Sequence, residues 1–365
     1  MKKALKITAA VLSAILTLAL LFTVVTVSIH GVKTGREIEL LKEAGYYNPV
    51  SVGDYSLNVA TFGNEDGKHT IVGLAGLGMG DYSVAARRMT APLEEDNLVV
   101  FVDRAGYGFS DDADHGMTLE DVVEDYRAAL KNAGIEGPYI LMPHSIGGAY
   151  ATFWCSKYPE EIEGIVFVDG SQLGEDAFDE EPPSSVKASD KLLALLAKMG
   201  FSRYVLRDYF YHYPDNYTEE EQKLGDALML MTLDSVSTLY EDARLAENAQ
   251  RAFCEIVEND VPKLYISSSW GIETKEDVID LALWINRQIE INRLDIPKRR
   301  TDYDDESVKA IIESAETARR ERLQPYLDKM GNCSLVCLGG DHMIYEQKPE
   351  DCARLISEFI DGLDK

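Results

Sequence analysis

Apolar and polar positions along this chain fall into blocks that alternate between two periods, one suited to strands and one to helices. Residues 55–61 alternate in the manner of an edge strand. Residues 70–75 and 98–102 are continuous apolar runs, as expected for strands covered on both faces of a parallel sheet. Thr118 followed by Asp121 forms a capping-box start, and the helix it opens closes at Gly134. Residues 139–142 then read as a short buried strand, 143–147 as a turn, 148–158 as a helix, and 164–168 as another buried strand. This alternation predicts an α/β fold, with a mostly parallel sheet carrying helices on both faces.

After Gly170 the pattern changes. Between 172 and about 259 no strand is predicted, only helical stretches at 190–198, 203–211, 219–231 and 242–252. Tyr204, Tyr209, Phe210, Tyr211, Tyr213, Leu228, Met229 and Met231 make this segment a candidate helical cap that lines a pocket for an apolar acyl or alkyl group. Strand character returns at 263–267. Helical stretches follow at 276–292 and 306–328, then a strand at 334–338 and an amphipathic helix at 349–363. The expected organisation is a membrane segment (1–30), a stalk (31–47) with one helical segment at 36–43, a core (48–172 and 259–365) and a cap (173–258).

The N-terminal block differs from all others. Residues 7–29 carry no charge, and Lys2, Lys3 and Lys6 precede them. At about 1.5 Å per residue such a helix is roughly 34 Å long, against about 30 Å for a hydrocarbon core. An uncleaved signal anchor is expected, with a cleaved signal peptide as the alternative. The lysines orient the N-terminus to the cytoplasm and the remaining chain to the extracytoplasmic side, as a single-pass cell-membrane protein. The net charge is −27, with about −30 carried by residues 31–365. Nucleic acid is therefore excluded as a partner. The five cysteines, Cys155, Cys254, Cys333, Cys337 and Cys352, show neither a disulfide framework nor zinc spacing. A bridge from Cys333 or Cys337 to Cys352 remains open.

The candidate chemistry centres on residues 139–150, YILMPHSIGGAY. A serine on a sharp strand-to-helix turn is a nucleophile elbow, although Pro143 stands where the first glycine of G-x-S-x-G is usual. Ser145 needs a base to take its proton. Of six histidines, His342 alone follows a core strand and precedes a helix, where active sites of parallel sheets collect. His144 neighbours the serine but points elsewhere, so its expected role is structural. Two backbone amides suit an oxyanion hole: Ile146, at the start of the elbow helix, and Leu77, in Gly76-Leu77-Gly78-Met79-Gly80. That glycine-rich loop lacks the lysine and hydroxyl residue of a phosphate-binding loop. For the acid, Asp169 ends the strand after the elbow helix, whereas Glu273 lies in the loop after the next strand. Asp169 is preferred and Glu273 kept as the alternative.

Taken together, AGLGMGDYS (75–83), DRAGYGFSD (103–111), residues 137–171 and GGDHMIYEQKPEDCARLISEFI (339–360) resemble the α/β-hydrolase superfamily, specifically lipase- and esterase-like members with a helical cap. The resemblance covers most of residues 48–172 and 259–365. It implies a serine hydrolase with Ser145 as nucleophile, His342 as base, and Leu77 and Ile146 at the oxyanion positions, needing no metal or organic cofactor. The expected activity is hydrolysis of small-molecule carboxylic esters through an acyl-enzyme. Amidase or aminopeptidase activity on the same triad, or a silent ligand-binding protein on this fold, are the alternatives.

Overall fold

The computed structural model describes residues 2–174, 185–205, 213–214, 216–233, 235–268, 272–291 and 296–364. Eight strands form one sheet: β1 Pro49–Ser51, β2 Ser56–Gly63, β3 Thr70–Leu74, β4 Leu98–Val102, β5 Tyr139–Ser145, β6 Ile162–Gly170, β7 Lys263–Ser268 and β8 Cys333–Leu338. Their order is β1-β2-β4-β3-β5-β6-β7-β8. Two pairings are antiparallel, β1 with β2 and β2 with β4. The remaining pairs are parallel, from β4–β3 to β7–β8. Because β1 lies outside it, β2 is not the edge strand that its alternation suggested.

The helices are α1 Lys2–Glu43, α2 Tyr82–Ala85, α3 Arg87–Thr90, α4 Leu119–Asn132, α5 Gly147–Lys157, α6 Ala188–Lys198, α7 Ser202–Val205, α8 Glu219–Thr232, α9 Ser237–Cys254, α10 Lys275–Ile291, α11 Asp305–Met330, α12 Ile344–Gln347 and α13 Pro349–Leu363. Two buried clusters hold the layers together. Leu119, Val122, Tyr126, Trp154, Phe253 and Tyr326 pack α4, α5, α9 and α11 on one face of the sheet. Met89, Ile344, Ile356, Ile360 and Leu41 pack α3, α12, α13 and the end of α1 on the other. The α4 capping box is present, with Thr118 Oγ1 accepting from the Asp121 amide and the Asp121 carboxylate accepting from that of Thr118.

The structure departs from the sequence reading in three local ways. First, α1 runs unbroken through both the apolar segment and the stretch expected to be a stalk, because Gly31 and Gly35 sit in a helix that continues on either side. It is the one helix among the described residues long and apolar enough to cross a membrane. Second, β5 passes through Pro143, which pairs with Leu74, and continues to Ser145. A proline removes only its own ladder donor, and the residues beyond it still pair with β6. Third, all five cysteines are free thiols, which removes the bridge left open between Cys333 or Cys337 and Cys352. The regular elements described between β6 and β7 are all helices, α6 to α9. Tyr209, Phe210 and Tyr211, expected to line a pocket there, lie outside the described residues.

Candidate active site

Ser145 sits at the last position of β5 with φ 51, a left-handed conformation that costs energy for a residue with a side chain. The pairing with β6 shifts register between His144 and Ser145 at this same point. The next turn is held close to the sheet by Gly147, where a Cβ would lie 2.4 Å from the carbonyl oxygen of Leu74. Glycine is therefore required for α5 to start directly above β3. The result is a strand–serine–helix elbow, built despite Pro143, with Ser145 partly exposed and its neighbours buried.

His342 lies in the loop after β8. Its Nδ1 donates to Asp169 Oδ2 at 2.7 Å. A carboxylate is acceptor-only, so Nδ1 carries the proton and Nε2 is left as the ring's acceptor. Asp169 is buried, at the penultimate position of β6, also with a positive φ of 46. Its other oxygen accepts from the Ser268 amide at 2.7 Å and from Arg319 at 2.8 Å. Arg319 also hydrogen-bonds the hydroxyl of Ser267. Burial pushes the Asp169 carboxyl up, but the His342 hydrogen bond, the Ser268 amide and Arg319 outweigh it and hold it below its ordinary 3.8.

The alternative acid is elsewhere. Glu273 packs against the backbone at Gly339 and lies 3.7 Å from Lys348. Among the described residues no hydrogen bond or ion pair joins it to the His342 ring. Neither the Ser145 hydroxyl nor Nε2 of His342 has a hydrogen-bond partner among the described residues. Such bonds are often long in unliganded sites and tighten only around substrate.

His144 fixes the histidine loop from below. Fully buried, it donates from Nε2 to the backbone carbonyl of His342 at 2.9 Å, and the two rings stand 4.5 Å apart. Burial and the neighbouring His342 lower its pKa to about 3, so it stays neutral. It is a strut, as its position beside the serine suggested.

The glycine-rich loop approaches from β3. A Cβ on Gly76 would lie 2.8 Å from His144 Nδ1 and 3.0 Å from the Ser145 Cβ, so glycine is what lets the loop touch the elbow. The amides of Leu77 and Ile146 make no turn or loop hydrogen bond among the described residues. Arg104, buried, grips this loop by donating to the carbonyls of Ala75 at 2.6 Å and Gly76 at 2.9 Å. Its Nε lies 3.0 Å from Glu241 of α9, a charge contact without an aligned hydrogen bond. Glu241 also accepts from Tyr107 and Tyr150, each at 2.6 Å, and Tyr107 in turn accepts from the Gly78 amide at 2.9 Å. Sequence reasoning missed Arg319, Arg104 and Glu241. Arg104 and Tyr107 lay within the DRAGYGFSD stretch, a signal that was available. Arg319 and Glu241 sit in amphipathic helices whose pattern distinguishes them from no other surface charge.

An eight-stranded, mostly parallel sheet with a serine elbow after β5 and a histidine loop after β8 is the α/β-hydrolase fold. Among solved structures, the enol-lactonase from Burkholderia xenovorans LB400 superposes with a TM-score of 0.51 at 15% identity, over 86% of this chain and 100% of that one. The family described as serine aminopeptidase, S33 matches residues 68–269, more than half of the chain, and the chain belongs to that family. Uncharacterized protein YbdG of Bacillus subtilis (strain 168) is 37% identical over 155 residues, 42% of this chain and 46% of that protein. The cis-3-alkyl-4-alkyloxetan-2-one decarboxylase of Shewanella oneidensis is 25% identical over 91 residues, 24% of this chain and 29% of that protein. The chain thus spans less than half the length of either curated relative. The chain thereby falls within the α/β-hydrolase superfamily.

Proposed function

We propose that the protein is a membrane-anchored, extracytoplasmic serine hydrolase that cleaves carboxylic esters through an acyl-enzyme. The 2.7 Å contact between Asp169 and His342 supports this most strongly, because it fixes the tautomer that presents an unprotonated nitrogen to a serine. In this reading Ser145 attacks the ester carbonyl as His342 Nε2 takes its proton. The developing oxyanion is met by the amides of Leu77 and Ile146, and the helix dipole of α5 adds to the second. His342 then protonates the departing alcohol. Water, activated by the same ring, releases the acid, while Asp169 stabilises the imidazolium without being protonated. No step requires a metal or organic cofactor. Anchoring rests on the apolar length of α1, and orientation on Lys2, Lys3 and Lys6.

The name of the Shewanella relative describes a cyclic ester, which favours ester over amide substrates. The description of the family favours the second reading, an aminopeptidase on the same residues. Comparing p-nitrophenyl esters with aminoacyl anilides separates the two. The central test is labelling by a fluorophosphonate probe: wild type is expected to react and Ser145→Ala not. A wild-type chain that is folded yet unlabelled would instead indicate a ligand-binding protein on this fold.

A further inference from the structure

One helix of the cap, α6, is built inside out. On α6 the residues that face the protein are Ala194 and Ala197, while Leu192, Leu193 and Leu195 are each more than half exposed. Two lysines of this helix, though exposed, reach other parts of the protein. Lys191 hydrogen-bonds the Tyr240 hydroxyl of α9, and Lys198 pairs with Asp112 of the core. A helix that met only water would reverse this arrangement. The exposed leucines are continued by Tyr204 of α7, itself 54% exposed.

The chain that follows α6 packs directly on α1. Phe22 packs on Phe201 and Tyr204 with ring centroids 5.9 Å apart in both pairs, and Thr26 lies 3.4 Å from the Tyr204 hydroxyl. Above them the contact is polar and fixed. Arg203 donates to His30 at 2.8 Å, to Thr34 at 2.9 Å and to both oxygens of Glu37, at 2.7 and 2.6 Å. The turn at Gly200 meets His30 so closely that a Cβ there would be 2.4 Å from it. The cap therefore has a defined height on α1. Phe22 precedes the end of the uncharged run at Ile29 by seven residues, about 10 Å along the helix axis. That is the depth, about 5–10 Å, at which interfacial helices seat their apolar faces.

We propose that α6 and α7 are seated in the bilayer interface beside α1, with Leu192, Leu193, Leu195 and Tyr204 against lipid and Arg203 locking the cap at that depth. The occupant of the face is lipid because the same side of the molecule carries the span itself. Tyr204 stands where a ring with an apolar body and a polar tip meets the headgroup level. This inference rests on the reading that α1 crosses a membrane.

The test uses the full chain reconstituted in dioleoylphosphatidylcholine vesicles, with tryptophan fluorescence quenched by brominated phosphatidylcholine and wild type as the baseline. Two single variants are compared: Leu193→Trp on the cap and Leu18→Trp within the span. Shallow-brominated lipid is expected to remove at least about half of the fluorescence added by Leu193→Trp, and deep-brominated lipid that added by Leu18→Trp. Quenching at Leu18→Trp with none at Leu193→Trp overturns the cap proposal and leaves the anchor intact. Quenching at neither overturns both. A detergent-solubilised dimer that Leu192→Ser/Leu193→Ser/Leu195→Ser converts to monomer, with the Leu193→Trp signal insensitive to bromolipid, assigns the face to a second copy and also overturns it.

Discussion

Replacing Asp169 with asparagine separates the proposed triad from its alternative most sharply. All three groups around the carboxylate are donors: Nδ1 of His342 at 2.7 Å, the Ser268 amide at 2.7 Å and Arg319 at 2.8 Å. An amide must turn its NH2 toward one side. Facing Ser268 and Arg319 it would lose two hydrogen bonds and turn an NH2 toward a nearly buried guanidinium. Facing His342 it loses none if the ring changes tautomer, so that orientation wins. The ring then carries its proton on Nε2 and cannot accept one from Ser145. In a Ser–His–Asp site this change lowers kcat by about 10⁴-fold, or about 5 kcal/mol of transition-state stabilisation. The assay is steady-state hydrolysis of p-nitrophenyl butyrate by the full chain in detergent, with thermal unfolding followed in parallel. Glu273→Gln, whose side chain meets Lys348 and the Gly339 backbone among the described residues, is expected to stay within about threefold of wild type. If Asp169→Asn, still folded, retains more than a tenth of wild-type kcat, or Glu273→Gln loses as much, Asp169 is not the acid.

Four further outcomes follow from the surroundings of the site. Gly76→Ala pushes a methyl into His144 and the elbow, and is expected to lower kcat by about 10²–10³, the effect of losing one oxyanion donor, measured with the same ester. Glu241→Ala leaves Arg104 charged and buried without its counter-ion. It is expected to destabilise the fold by about 3–5 kcal/mol in denaturant unfolding, whereas a loss below 1 kcal/mol would make the pair dispensable. For His144, the unfolded chain takes up a proton near the ordinary 6.5 that the fold refuses down to about 3, so stability present above 6.5 falls as pH drops through that window. The slope is about 1.4 kcal/mol per pH unit, and His144→Gln should remove it from a pH series of unfolding curves. The linkage reverses for Asp81, whose buried carboxyl, raised first by burial and then by Glu346, has a pKa of about 8. Its folded form holds a proton the unfolded chain has lost, so stability declines as pH rises from the ordinary 3.8 toward 8, and Asp81→Asn should flatten that decline.

The sheet was legible in the sequence because its central strands are buried on both faces and so read as unbroken apolar runs. Thr70–Leu74 and Leu98–Val102 could be placed almost to the residue for this reason. The three-residue β1 carries no such signal, since two of its residues are exposed. Ser145 and His342 were visible because chain order and their sites at strand ends narrow the choice. The choice of acid was harder to make: Asp169 lies at the end of one core strand and Glu273 follows the next, and only the third dimension shows that Asp169 faces the His342 ring. Arg319 was invisible for a related reason. Nothing in the helical pattern of α11 marks one arginine among Arg319, Arg320 and Arg322 as the residue that reaches Asp169 rather than solvent.

The position of the proposed acid at the end of β6 explains much of the remaining architecture. Ser145 ends β5, Asp169 lies one residue before the end of the adjacent β6, and the proposed base follows β8, two strands further on. At about 4.8 Å per strand, His342 has to lean back across the end of β7 by roughly 10 Å to meet its carboxylate. Gly340, with φ 134, turns the chain after β8, and the His144–His342 contact draws the returning loop down toward β5. The end of β7 is then the floor beneath this bridge, and it is no bystander. Ser268 gives its amide to Asp169, and Ser267 binds the arginine that shares that carboxylate. An acid placed after β7 would need none of these supports. With Asp169 in the role, the donors from β7 and α11 become the groups that keep a buried carboxylate ionised next to a half-exposed imidazole.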